Sequence, residues 1–383
     1  MKISFEAKRL FNNFTGLGNY ARTLVANLQS HHPDNEYILY TPRSRDTGDT
    51  HYFFDTSRFA ITTPRSKKLS SLWRSWGVIS NIKSDGVDIY HGLSHDLPFS
   101  VSAKRKENTR YVVTVHDVCF RTFPEMFAPI ERMIYRRKYT HSLKVADAVV
   151  AISESTRRDI LTFFPWVDPA KVTTIYQSLN PVYYTPMALE TATEIVAKYG
   201  IHGRYMLYVG SINSRKNLLG IVKAYALISP EKRLPLVIIG TGGKYKDQVL
   251  DFASRNDISQ YLHFMDNITL VSTLHAFYTA AAALVYPSFY EGFGLPVAEA
   301  LLSGIPVITS TVSSLPEAAG DGALFVDPHS PEEIARAIEL LSHNEAYAQE
   351  LAARGKRYVE ENFNIEKLTS QMMALYKSLV DKN

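Results

Sequence analysis

The sequence predicts an α/β protein built from two parallel-sheet domains. Three observations carry this reading. Short apolar runs, such as residues 111–115 (YVVTV) and 148–152 (AVVAI), are hydrophobic throughout instead of alternating, as expected for strands covered on both faces. These runs alternate with stretches of helical periodicity, such as Leu24, Val25 and Leu28 or residues 130–146,. The rhythm breaks at a segment rich in Pro, Tyr and Thr (180–186) and then restarts,. At 383 residues the chain exceeds one ordinary core,. We therefore expect one domain over 1–180, a second over 181–363, and a last helix, 364–383.

Composition narrows the function classes. Hydrophobic content of 45% with 21% charged residues fits a globular chain without a disordered bulk,. The single cysteine, Cys119, excludes an internal disulfide framework and suits a reducing compartment,. No Cys/His cluster has metal-ligand spacing. The first residues (MKISFEAKRLF) lack the apolar core of a signal peptide,, and no apolar run approaches the roughly 20 residues of a spanning helix. A cytoplasmic location is expected. The net charge of +4 divides unevenly, +8 over residues 1–180 and −4 over the rest. A basic half can face an anionic surface or be an ordinary charged exterior.

In chain order, residues 1–7 open the first sheet. Thr15-Gly16-Leu17-Gly18-Asn19-Tyr20 is a Gly-rich loop leading into a helix. It falls short of the full G-x-G-x-x-G fingerprint, so a tight turn explains it as well as a ligand does. Residues 37–40 and 87–91 are short strands. The strand 111–115 ends in His116-Asp117, and ligand sites in open α/β sheets lie beyond the carboxyl ends of strands. His116 is thus either a site residue or a strand cap. Residues 130–146 form a helix whose Arg132 and Arg136, and Arg137 and His141, are four apart. That basic face could meet phospholipid head groups or an anionic acceptor, or simply water. A strand at 148–152 leads to a helix begun by Ser153 and capped by Ser155 or Thr156, and residues 172–176 are the next strand.

The second half repeats the pattern. Strand 205–209 ends in Gly210, and Arg215 and Lys216 follow at the head of the next helix. Cations are disfavoured at a helix N-terminus unless an anion is present, which favours a diphosphate clamp over a charged helix start. Strands at 236–239, 261–264, 280–286, 305–308 and 323–326 follow, and 331–361 and 364–382 read as two helices. Two such strand–helix sets suggest two Rossmann-like domains facing a cleft.

The richest stretch is residues 286–300, YPSFYEGFGLPVAEA. Glycine lets the backbone approach a ligand closely, and proline suits the first turn of a helix. Amides at Phe293, Gly294, Leu295 and Val297 would be free to attract phosphate. Glu291 and Glu299 would then accept hydroxyls on either side of it, which is the layout of a nucleotide sugar. A strand–turn–helix with solvated glutamates is the plain alternative.

The segment EGFGLPVAE is joined, in order, by GLGNY (16–20), TVHD (114–117), AISESTRRDI (151–160), VGSINSRKN (209–217) and SSLPEAAGDGALFVDP (313–328). Together these resemble the retaining glycosyltransferases of family 4, of GT-B fold, over nearly the whole chain. The resemblance implies a hexosyltransferase with a nucleotide-sugar donor, with 1–180 as the acceptor-side domain and 181–363 as the donor-binding domain. Gly16 and Gly18 would line the site, and His116 would contact the donor sugar. Arg215 and Lys216, beside Gly210, would hold the diphosphate. Glu291 would bind the sugar, with the amides of Phe293, Gly294 and Leu295 after it. Glu299 would hold the ribose, residues 265–270 would flank the base, and 364–383 would return to the first domain. No D-x-D metal site is evident, so neither metal nor cofactor is expected.

Within the family, VHDVCFRTFPEMF (115–127) looks most like bacterial mannosyltransferases of surface-polysaccharide assembly. GDP-mannose is the expected donor, with a UDP-hexose as alternative. The expected acceptor is a growing glycan or lipid-linked saccharide, with contact to the inner membrane and no nucleic-acid partner. A nucleotide-sugar epimerase of the same fold is the rival reading.

Overall fold

The computed structural model describes residues 1–105, 108–268 and 270–381. The chain divides into two compact units, residues 1–178 with 363–383, and residues 179–362.

The first unit holds a seven-stranded sheet. Its strands are β1 (Lys2–Glu6), β2 (Glu36–Tyr40), β3 (Phe59–Thr62), β4 (Ile89–Gly92), β5 (Arg110–Val115), β6 (Ala148–Ala151) and β7 (Val172–Thr174), in the order β3-β2-β1-β4-β5-β6-β7. Every pairing is parallel. The strand order reverses between β1 and β4, the kind of switch point beside which open α/β sheets form ligand crevices. β3 is an addition to the sequence reading. Its run FAIT is buried only at Phe59, so an edge strand leaves no continuous apolar signal. The helix from Glu154 to Phe163 is capped by Ser153 itself, whose hydroxyl accepts the Thr156 amide at 2.9 Å.

The Ile365–Val380 helix belongs to this unit and packs on the Gly16–His31 helix. A buried polar chain fixes it there. The Tyr376 hydroxyl meets His91 Nδ1 at 2.6 Å, His91 Nε2 meets Thr114 Oγ1 at 2.8 Å, and Thr114 Oγ1 meets the Tyr20 hydroxyl at 2.9 Å. Burial pushes the His91 imidazole down to about 3, with the charge of His116 adding to the effect, so the chain runs through a neutral ring. Arg110 adds a bond from Nε to the Leu379 carbonyl at 3.1 Å.

The second unit holds six parallel strands, β8 (Met206–Val209), β9 (Leu236–Ile239), β10 (Leu262–Met265), β11 (Ala283–Tyr286), β12 (Val307–Ser310) and β13 (Ala323–Val326), in the order β10-β9-β8-β11-β12-β13. β8, β9, β11 and β12 are buried along their whole length, which explains their unbroken apolar sequences. Here the order reverses between β8 and β11. The stretch expected as one helix over 331–361 is two, Pro331–His343 and Glu345–Asn362. Asn344 stands between them, and its side chain accepts the Tyr347 amide at 3.1 Å. Asparagine's competing side-chain bonds favour such a cap over a helix interior.

Candidate active site

The candidate site of the second unit lies at the carboxyl ends of β8 and β11. β8 runs into Gly210, whose φ of +146° belongs to the region that favours glycine,. A Cβ there would lie 3.2 Å from Lys216 Nζ, so the strand end stays open for the lysine. Asn213 then caps one tight turn, its Oδ1 accepting the Lys216 amide at 3.2 Å. Asn217 takes a left-handed conformation, φ +57°, and its Nδ2 donates to the carbonyls of Pro287 at 3.1 Å and Pro328 at 2.7 Å. The Phe289 amide bonds the Arg215 carbonyl at 2.8 Å. The Arg215-Lys216 pair is thereby tied to the segment that follows β11.

Glu291 sits in that segment and receives both cations. Its Oε2 lies 2.9 Å from Arg215 Nη1 and its Oε1 lies 3.2 Å from Lys216 Nζ. Tyr286 donates its hydroxyl to Oε1 at 2.8 Å, and Ser288 donates at 3.1 Å. Lys216 Nζ also bonds the Tyr286 hydroxyl and lies 4.9 Å from its ring centre. Arg215 bonds the Tyr290 carbonyl as well. Burial alone would raise the Glu291 carboxyl, but Lys216 and Arg215 hold it down at about 2,. Burial lowers the Lys216 ammonium, and Glu291 opposes that shift. The result is a hydrogen-bonded triad of Arg215, Lys216 and Glu291.

Gly294, φ +110°, starts the Leu295–Leu302 helix, and Pro296 occupies its first turn. The Val297 amide is not free as expected. It donates to the Gly294 carbonyl at 2.9 Å and closes the first turn. The amides of Gly294 and Leu295 donate to no acceptor among the described residues, as is usual for the start of a helix. The Phe293 ring is buried, and Ser314 Oγ lies 2.8 Å from the carbonyls of both Glu291 and Phe293. One helical turn on, Glu299 accepts the Tyr278 hydroxyl at 2.9 Å. Burial pushes its carboxyl up to about 7, with Tyr278 and Lys216 opposing. The carboxyls of two glutamates eight positions apart are therefore shifted in opposite directions.

The remaining expected residues lie in the first unit. Gly16 begins the Gly16–His31 helix instead of preceding it, and a Cβ there would meet nothing within 4 Å. Gly18 has a packing reason to be glycine, because its Cβ would fall 1.7 Å from the Asn13 carbonyl oxygen. His116, at the end of β5, is buried, and its Nε2 donates to the Leu93 carbonyl at 2.8 Å. That leaves Nδ1 as the acceptor. Burial lowers its pKa, and the Leu93 carbonyl and Asp117 pull the other way. The expected base-flanking loop over 265–270 includes Thr269, which lies outside the described residues.

Tyr286 and Tyr278 escaped the sequence reading, because each sits inside an apolar run that reads as core. The one available signal is the phenol, since a buried tyrosine hydroxyl requires a partner.

Two Rossmann-like sheets, with a cation–carboxylate triad and a glycine-started helix in the second, make up the α/β frame in which comparisons with known proteins place a glycosyltransferase. Residues 14–182 match the family model described as Glycosyltransferase Family 4, and residues 192–358 match Glycosyl transferases group 1. The chain is 30% identical to O-antigen chain mannosyltransferase B of Escherichia coli, over 99% of this chain and 100% of that one. It is 28% identical to O-antigen chain mannosyltransferase RfbU of Salmonella typhimurium, over 59% of each. Among solved structures it is similar to Anabaena HepE in complex with UDP and glucose, with a TM-score of 0.77 at 15% identity, covering 99% of this chain and 100% of HepE. The chain belongs to the family-4 glycosyltransferases and has their GT-B architecture of two Rossmann-like domains.

Proposed function

We propose that this glycosyltransferase moves mannose from GDP-mannose, with retention, to a growing glycan or lipid-linked saccharide of a bacterial surface polysaccharide. The Arg215–Lys216–Glu291 triad at the switch point of the second sheet carries the reading. Breaking the anomeric C–O bond puts positive charge on the sugar and negative charge on the diphosphate. Fixed cations stabilise the second charge more in the transition state than before it. The diphosphate would draw Arg215 and Lys216 toward itself and release the Glu291 carboxylate to accept sugar hydroxyls. The amides of Gly294 and Leu295, at a helix start, suit a phosphate. Glu299 would hold the ribose hydroxyls, and His116, through Nδ1, would accept a sugar hydroxyl. The mannosyl assignment is supported by the names of the two mannosyltransferases, and the UDP and glucose held by HepE favour a UDP-hexose as the second reading.

Thermal shift with GDP, UDP and ADP separates these outcomes, because a ligand that binds the native state raises its stability as ln(1 + [L]/Kd). A GDP preference is expected. A UDP preference would replace the donor and keep the site. A protein that responds to none of them would sink the proposed donor site.

We further infer a peripheral membrane position. The Pro129–Val145 helix exposes Ile130 and Met133 at 62% and Ile134 at 48%. These apolar residues at helical spacing are flanked by exposed Arg132, Arg136 and Arg137. Exposed Trp76 lies beside Phe99, ring centres 5.8 Å apart, and Arg137 lies over Phe99. Apolar side chains within a basic surface suit an anionic bilayer, and no described helix is long and apolar enough to cross one. Co-sedimentation with phosphatidylglycerol vesicles should fall sharply in Ile130→Glu/Met133→Glu. Unchanged sedimentation of that double variant would contradict this surface.

A further inference from the structure

Tyr286, the last residue of β11, is fully buried, yet its hydroxyl stands among the charges of the triad. It donates to Glu291 Oε1 at 2.8 Å and accepts from Lys216 Nζ. A phenol can do both at once, because it carries a donor and acceptor lone pairs. Burial pushes its pKa well above the ordinary value, and Glu291 adds to the shift, so the hydroxyl keeps its proton. The residue is held by the sheet and not by the loop that carries Glu291. Its ring centre lies 6.1 Å from that of Tyr208 on β8, and its carbonyl accepts the Thr309 hydroxyl of β12 at 2.9 Å. Groups on strands hold a geometry more closely than groups on loops.

The two oxygens of Glu291 are served unequally. Oε1 takes Tyr286, Ser288 Oγ at 3.1 Å and Lys216 Nζ at 3.2 Å. Oε2 has Arg215 Nη1, at 2.9 Å, as its one close partner among the described residues. A carboxylate oxygen accepts about two hydrogen bonds. Once a diphosphate takes Arg215 and Lys216, Tyr286 and Ser288 still fill Oε1, and Oε2 is left open. The backbone of Glu291 is pinned separately, its amide donating to Ser313 Oγ at 2.9 Å and its carbonyl accepting from Ser314 Oγ at 2.8 Å. What Tyr286 and Ser288 decide is therefore the direction of the carboxylate itself.

We propose that Tyr286 is a positioning residue for sugar transfer: its hydroxyl, with that of Ser288, fixes Glu291 Oε1 and leaves Oε2 to accept hydroxyls of the donor sugar. This assignment rests on the donor reading above. The phenol acts through Glu291 and touches neither sugar nor diphosphate. It lets Lys216 move to the diphosphate without releasing the carboxylate that the lysine had paired.

The test is calorimetry with GDP and with GDP-mannose on the wild type, Tyr286→Phe and Ser288→Ala; should the wild type prefer UDP, the same pair is read with UDP and UDP-glucose. Tyr286→Phe keeps the ring and removes the hydroxyl. Lys216 would meet the same diphosphate in both ligands, so its altered surroundings cancel in the ratio of the two dissociation constants. A merely structural loss would also weaken both ligands alike. The Kd of the nucleotide sugar relative to that of the nucleotide should rise about tenfold in Tyr286→Phe, the scale of one lost hydrogen bond to a charged group. Ser288→Ala, which removes the second hydroxyl on the same oxygen, should move the ratio in the same direction. An unchanged ratio in either variant would overturn the assignment, whatever happens to the thermal midpoint. Binding of neither nucleotide by the wild type would strike the donor reading, and this assignment with it.

Discussion

The Lys216 ammonium stands 3.2 Å from the Glu291 carboxylate, and a single tyrosine, Tyr286, hydrogen-bonds both groups. The group expected on the sugar and a group expected on the diphosphate neutralise each other here. A donor held as proposed would draw this pair apart.

Glu291→Gln should therefore impair both stability and activity. Removing one partner leaves two cations in a buried setting, a change that typically costs about 3–5 kcal/mol. Loss of a preorganised charge at the reacting centre should lower kcat by about 100-fold or more. Urea unfolding and a sugar-transfer assay check the two parts.

The same carboxyl sets an acid limit. Its pKa is about 2 in the fold against an ordinary 4.5. A depressed value gives stability that is present above 4.5 and lost as pH falls through about 2. The shift corresponds to about 3 kcal/mol. Urea midpoints between pH 6 and pH 3 should fall less in Glu291→Gln than in the wild type.

Glu299 should set a neutral-pH limit on nucleotide binding. Its pKa of about 7 lies above the ordinary 4.5, and its ionised form is the stronger acceptor for two ribose hydroxyls. GDP affinity should rise about tenfold from pH 6 to pH 8, following the ionised fraction. The terminal phosphate of GDP also titrates near pH 6. Glu299→Gln isolates that contribution and should show a flatter profile by calorimetry.

Two glycines should behave oppositely. Gly210→Ala strains a backbone at φ +146° and brings Cβ to 3.2 Å from Lys216 Nζ. It should cost about 1–3 kcal/mol and lower activity. Gly16→Ala enters open space in a helical turn and should hold or raise the thermal midpoint, since alanine is the better helix former by about 1 kcal/mol. Reduced turnover at an unchanged midpoint would mark Gly16 as a site residue.

Much of the fold was legible because parallel strands buried on both faces write themselves as continuous apolar runs. Ala283–Tyr286 and Arg110–Val115 are examples. Edge strand Phe59–Thr62 carries no such run and was missed. The spacing of Glu291 and Glu299 suggests a site, and so do two cations at the head of a helix. What the sequence could not show is pairing. Nothing in VGSINSRKN says that Arg215 and Lys216 both reach Glu291, because that depends on Gly210 and Asn217 adopting φ values above zero.

The most direct measurement is transfer of labelled mannose from GDP-mannose to lipid-linked saccharide, comparing wild type with Lys216→Ala. The account predicts incorporation by the wild type and a loss of about 100-fold or more in the variant, with the fold retained by circular dichroism. Equal incorporation by Lys216→Ala, or none by the wild type from GDP-mannose while a UDP-hexose is used, would contradict it.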